Sequence, residues 1–224
     1  MDKRIFINPS VLSANFDDLE GEIDKVASVS DQLHLDIMDN KFVPNFTFDF
    51  KRAQEIVSFS KLPVDAHLMV EDADAMAPKY SETGCYSVTF HFEAASNVKR
   101  TISNIKSNGT KAGLAIRPGT KLSQVEEFIG DLDLLLIMTV EPGFGGQSFM
   151  TDQMAKVTKA RALINESNAV PVLQVDGGIS ESTIEIAASA GANSFVAGSA
   201  VYKSSNPAET INKLRGLAGN SFRG

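Results

Sequence analysis

Residues 5–39 read IFINPSVLSANFDDLEGEIDKVASVSDQLHLDIMD, and within them a strand pattern gives way to a helix pattern and returns. Ile5 to Pro9 is a short apolar run closed by proline. Phe16, Leu19, Ile23, Val26 and Val29 then recur at the spacing that lines up one helical stripe, with Asn15 placed to cap it. Gln32 to Met38 is a second β-rich run. Two strands joined by one helix run parallel, through a right-handed crossover.

The same alternation continues to the end of the chain. Further strand-like runs are Val64 to Val70, Tyr86 to His91, Lys111 to Ile116, Leu132 to Val140, Val172 to Asp176 and Ser194 to Ala197. Helix-like stretches follow at Asp49 to Ser60, Ala73 to Glu82, Asn97 to Ser107, Ser123 to Ile129, Asp152 to Asn165, Glu181 to Ala190 and Pro207 to Leu217. Eight strand–helix units predict an α/β fold, a single-domain (β/α)8 TIM barrel over residues 1–224, with no room for an inserted domain. The competing open sheet would carry a glycine fingerprint after its first strand, and none is there.

Composition narrows the function classes. With 43% apolar and 22% charged residues the chain is an ordinary globular sequence, and its longest apolar run, Leu134 to Met138, is far short of a membrane span. Met1 to Pro9 contains no long apolar segment and no small-residue cleavage site, so export is not expected. Cys85 is the sole cysteine, which excludes an intrachain disulfide and fits a cytoplasmic location. A net charge of −7 offers nucleic acid no general attraction, so neither nucleic acid nor membrane is an expected partner.

Strands of a parallel barrel are covered on both faces and should be nearly all apolar, so ionisable residues within them need a reason. The second strand reads Leu33-His34-Leu35-Asp36-Ile37-Met38-Asp39, and alternation puts His34, Asp36 and Met38 on one face. In the third, Asp65, His67 and Met69 share a face. The seventh ends Leu173-Gln174-Val175-Asp176-Gly177-Gly178. His34, Asp36, His67 and Asp176 can therefore converge at the mouth of the barrel, the end where such enzymes keep their chemistry. Two imidazoles with two carboxylates suit a divalent transition metal, Zn, Mn, Fe or Co, better than the all-oxygen shells of Ca or Mg. Each residue alone could be a satisfied polar side chain; four together are harder to explain so. His91, ending the fourth strand, is open to three readings: support for the metal site, substrate contact, or capping.

Glycine-rich loops follow the late strands: Gly143-Phe144-Gly145-Gly146 after the sixth, Gly177-Gly178 after the seventh and Gly198-Ser199 after the eighth. Glycine lets backbone N–H groups approach an anion, and barrels often hold phosphate at these loops. Met38, Met69 and Met138 are either core filler or the floor of a pocket. Cys85 has no evident activating base and reads as a buried structural thiol.

These residues resemble the ribulose-phosphate 3-epimerase family. The resemblance rests on His34 to Asp39, Phe42-Val43-Pro44-Asn45, His67-Leu68-Met69, Met138 to Gln147 and Val175-Asp176-Gly177-Gly178, and extends from Pro9-Ser10 to Gly198-Ser199. It implies a barrel of the ribulose-phosphate-binding type. It also implies one divalent metal ion on His34, Asp36, His67 and Asp176, with Asp36 and Asp176 as acid and base. Ser10 and His67 would contact substrate, and Gly143, Phe144, Gly145, Gly146, Gly177, Gly178, Gly198 and Ser199 would hold substrate and phosphate. The implied reaction interconverts ribulose 5-phosphate and xylulose 5-phosphate by two-base proton transfer at carbon 3 through an enediolate, in the pentose phosphate pathway, by a dimer or hexamer. Two positions depart from the family pattern. Asn40 stands where glycine is usual, and asparagine is the next residue best able to take a left-handed backbone; Gln174 stands where glutamate is frequent, which lowers the charge on the face it shares with Asp176.

Rival readings are an epimerase of a hexulose 6-phosphate such as allulose 6-phosphate, a barrel decarboxylase, and a non-catalytic phosphometabolite-binding barrel. The decarboxylase would need a lysine near the second-strand acid, where this chain has Ile37 and Met38.

Overall fold

A computed structural model describes residues 4–167 and 170–224; Met1 to Lys3, the start of the N-terminal stretch read above, lie outside the described residues. Its eight strands are β1 (Phe6–Pro9), β2 (Leu33–Met38), β3 (Val64–Met69), β4 (Ser87–His91), β5 (Lys111–Ile116), β6 (Leu134–Met138), β7 (Val172–Asp176) and β8 (Ser194–Ala197). All paired strands are parallel, in the order β1-β8-β7-β6-β5-β4-β3-β2. A single bridge, Ser10 to His34, joins the two ends of that sheet and brings the barrel to closure.

The α-helices are α1 (Leu19–Ala27), α2 (Phe50–Phe59), α3 (Ala73–Ser81), α4 (Val98–Ser107), α5 (Met154–Glu166) and α6 (Ile184–Ser189) in every crossover but β5–β6, with α7 (Ser199–Tyr202) and α8 (Pro207–Ser221) after β8. Asp49, Asp72, Asn97 and Asn206 each cap a helix by accepting the backbone N–H three residues on. Two expectations fail locally. Asn15 caps only a 3-10 turn, Phe16–Asp18, and Asp18 caps α1 by accepting the Gly21 N–H, so the helix begins three residues later than its apolar stripe. Ser123 to Ile129 forms two 3-10 turns, Leu122–Gln124 and Glu126–Asp131, because Val125 between them (φ −122°, ψ −2°) leaves helical geometry.

The two faces of the strands differ in chemistry. Leu33, Leu35, Ile37, Val64, Ala66, Leu68, Val88, Phe90, Leu135, Ile137, Leu173, Val175 and Phe195 point outward into one continuous apolar core beneath the helices. The alternate residues point into the barrel, and many are polar: Asn8, His34, Asp36, Asp65, His67, Ser87, Thr89, His91, Gln174 and Ser194 are all buried. Burying so many polar groups is costly unless they bond one another. The pairing register aligns them, with His34 beside Asp65, Asp36 beside His67, Asp65 beside Ser87 and Gln174 beside Ser194.

Candidate metal centre and active site

Near the C-terminal ends of the strands a cleft of about 530 Å³, open at its mouth, is lined by Ser10, Asp36, Asp176, Met38, Met69 and Met138. The loops after β6, β7 and β8 close its sides with Gly143 to Gly146, Gly177, Gly178, Gly198 and Ser199. The three methionines are at most 2% exposed and lie against the cleft as well as in the packing. Phe144, at the rim, is 54% exposed.

Beneath the cleft, His34 Nε2 lies 3.3 Å from His67 Nδ1, 3.5 Å from an Asp36 oxygen and 3.8 Å from an Asp176 oxygen. His67 Nδ1 lies 3.2 Å from the same Asp36 oxygen and 3.7 Å from the same Asp176 oxygen. The four donor atoms all fall within 4.8 Å of one another. Ligands about 2.1 Å from a shared ion stand about 3.0–3.4 Å apart when adjacent, so the donor set fits one divalent ion with small adjustments. Two carboxylates would also neutralise it. The arrangement departs from the sequence expectation in depth: both imidazoles are fully buried and absent from the cleft lining, so the cluster lies under the mouth rather than at it. His34 is only the second residue of β2, and its ring, not its backbone, reaches the cluster.

Three of the four side chains, those of His34, Asp36 and His67, have a polar partner outside the cluster. Asp65, itself fully buried, accepts from Ser87 Oγ at 2.8 Å, Thr89 Oγ1 at 3.2 Å and Gln174 Nε2 at 3.2 Å, and sits 3.0 Å from His34 Nδ1. A carboxylate behind a ligating imidazole fixes its tautomer and orientation. Ser10 Oγ donates to the second oxygen of Asp36 at 2.5 Å. Thr139 Oγ1 donates to the Gly177 carbonyl at 2.7 Å, tying the end of β6 to the loop that follows Asp176.

The electrostatics separate the two carboxylates. Burial alone would raise Asp36, but the imidazoles of His34 and His67 outweigh it and hold Asp36 well below the usual carboxylate range. Asp176 is pushed up to about 6, by burial first and then by the charge of Asp36. Burial works against a charged His34, yet Asp36 and Asp65 overcome it and hold that imidazole well above its ordinary value. Loading an ion there displaces a proton.

The model of the ribulose-phosphate 3 epimerase family matches residues 6–202. The chain belongs to the ribulose-phosphate 3-epimerase family. A ribulose-phosphate 3-epimerase of Mycobacterium leprae is 44% identical over 213 residues, 95% of each chain. That of Escherichia coli K12 is 40% identical over 215 residues, 95% of this chain and 96% of its own. Among solved structures, 3-hexulose-6-phosphate synthase from Salmonella typhimurium superposes with a TM-score of 0.71 at 16% identity, covering 97% of this chain and 100% of its own, a likeness of fold.

Two residues at or beside the candidate site, Ser13 and Glu93, are not singled out by the sequence. Ser13 lines the cleft three residues after Ser10, at the spacing of one 3-10 turn. Glu93 lies behind His91, with the strand-end spacing His91-Phe92-Glu93 as its only signal. Asn40 has φ 59°, the left-handed backbone expected of it, and is the one non-glycine residue with positive φ among those described. Gln174 points into the barrel and donates to Asp65 and Ser194 Oγ. Cys85 is buried, and burial raises its thiol to about 11. No helix among the described residues is long and apolar enough to cross a membrane.

Proposed function

We propose that the protein epimerises carbon 3 of a ketopentose phosphate, interconverting ribulose 5-phosphate and xylulose 5-phosphate. The observation that carries this reading is the pair Asp36 and Asp176, side chains from β2 and β7 that line one cleft while their surroundings drive their proton affinities apart. Inverting a carbon next to a carbonyl requires proton removal on one face and delivery on the other. In the ion-free chain Asp36 holds its proton more weakly than Asp176 does, an asymmetry that suits Asp36 to accept the carbon-3 proton and Asp176 to donate on the opposite face. In the reverse direction their roles exchange.

His34, Asp36, His67 and Asp176 would hold the metal, whose class is Zn, Fe, Mn or Co by the mixed nitrogen and oxygen set. When bound, such an ion supplies Lewis-acid stabilisation of negative charge developing on the substrate oxygens. Ser10 keeps one Asp36 oxygen engaged, leaving the other turned to the cluster. Met38, Met69 and Met138 exclude water beneath the reacting carbon, which strengthens the electrostatics there. Gly143, Gly145, Gly146, Gly177, Gly178, Gly198 and Ser199 would receive the phosphate on backbone N–H groups, with Phe144 closing over the substrate. Membership of the family supports extending this reading to the pentose phosphate pathway, the cytoplasm and a dimer or hexamer.

Turnover of ribulose 5-phosphate in deuterated water tests the reading. Xylulose 5-phosphate carrying deuterium at carbon 3 is expected; unlabelled product would sink the proton-transfer scheme, and faster turnover of a hexulose 6-phosphate would overturn the pentose assignment.

A further inference from the structure

His91 is fully buried, does not line the cleft and is not among the four clustered donors. Its Nε2 lies 2.9 Å from His67 Nε2, and its Nδ1 lies 3.2 Å from Glu93 Oε2. Glu93 is anchored in turn: its other oxygen accepts the Arg117 N–H at 2.8 Å and the Thr120 hydroxyl. The Phe42 ring, 4.8 Å from that of His91, covers the relay, and the Arg117 guanidinium lies 4.0 Å over Phe42.

Proton bookkeeping then fixes every tautomer. His67 presents Nδ1 to the three other donors of the cluster, so an ion there takes the Nδ1 lone pair and the hydrogen stays on Nε2. Only one hydrogen fits between two nitrogens 2.9 Å apart. His91 Nε2 must accept it, which puts the His91 hydrogen on Nδ1, directed at Glu93. We propose that His91 and Glu93 are positioning residues, a relay that holds His67 in its metal-binding tautomer and orientation, as Asp65 does directly for His34. Of the three roles open to His91 from the sequence, the relay makes it support for the metal site, neither a substrate contact nor a cap.

The proposal rests on the metal site of the proposed function, and zinc titration against a chromophoric chelator separates the two. Wild type should take up one zinc ion. His91→Phe keeps the ring and its stacking but cannot accept a hydrogen bond, and should weaken zinc binding by about 10- to 100-fold. His91→Gln, whose amide oxygen can accept from His67, should bind close to wild type, and Glu93→Gln should fall between the two. Folded His91→Phe with wild-type affinity would overturn the relay alone, as would equal losses in His91→Phe and His91→Gln. Wild type without zinc uptake would overturn relay and metal site together. Should His91→Phe not fold, the ¹⁵N shifts of zinc-loaded wild type decide: the relay requires the Nδ1–H tautomer at His91, and Nε2–H would refute it.

Discussion

Asp36 and Asp176 are the same functional group in unlike surroundings. Asp36 receives a serine hydroxyl and faces two imidazoles; Asp176 has burial and a neighbouring negative charge. Replacing either by asparagine preserves shape and removes the proton chemistry. Asp36→Asn and Asp176→Asn should each lower kcat by about 10²- to 10⁴-fold, and turnover above about a tenth of wild type would remove that residue from the mechanism. Asn40 illustrates a different residue-scale constraint. It follows Asp39, whose side chain accepts the N–H groups of Lys41, Phe42 and Glu71, so the backbone must turn sharply there. A left-handed backbone costs most L-residues about 1–2 kcal/mol, which glycine escapes and asparagine partly escapes. Asn40→Ala should therefore destabilise by about 1 kcal/mol and Asn40→Gly by much less, read as shifts in urea midpoint at constant m-value. That turn was legible in the sequence because backbone preference is local. Glu93 was not, since nothing in His91-Phe92-Glu93 indicates that Arg117 and Thr120 come from the next unit to anchor it.

At the scale of elements, periodicity located every strand to within two residues at either end, because burial on the outer face demands continuous apolar runs. It misjudged the segment after β5 for a reason equally physical. Leu122, Val125, Phe128 and Ile129 are buried as a helix stripe would be, but an i, i+3 repeat also satisfies 3-10 turns, and pattern alone does not separate them. The depth of the donor cluster was similarly hidden: alternation gives the face of His34, whereas its reach depends on ring orientation set by Asp65. The glycine loops make a sharper test. Gly178, after β7, has φ +66°, and a Cβ there would stand 2.5 Å from the Phe149 backbone nitrogen. Gly178→Ala must shift the loop, and the KM for sugar phosphate should rise about tenfold or more, the scale of one charge-assisted hydrogen bond lost. Gly216→Ala is the contrast. It lies exposed within α8 with open space around it, so the same change should stabilise the chain by about 0.5–1 kcal/mol and leave KM alone. An unchanged KM in Gly178→Ala would refute the phosphate role of that loop.

For the whole molecule, the cluster couples stability to both pH and metal. Asp176 has a proton affinity raised from 3.8 to about 6 in the folded, ion-free chain, whereas the unfolded chain titrates it near 3.8. Between those values the native state binds more protons than the unfolded state, so stability falls as pH rises through that window. The loss is complete above about pH 6, and the gap corresponds to at most about 3 kcal/mol. Asp36 and Asp65 act with the opposite sign: their lowered affinities add stability above pH 3.8 that disappears only in stronger acid. The two effects occupy different pH ranges and can be separated. Comparing metal-free wild type with Asp176→Asn isolates the first, because asparagine does not titrate. From pH 4 to pH 7 the wild type should lose stability relative to the variant. Added zinc should reverse that order, since it binds the ionised carboxylate in the native state only, contributing about 2.7 kcal/mol at a hundred times its Kd. A wild type that gains on Asp176→Asn across this window without metal would show that Asp176 ionises freely in the folded chain, and its assignment as the acid would fail.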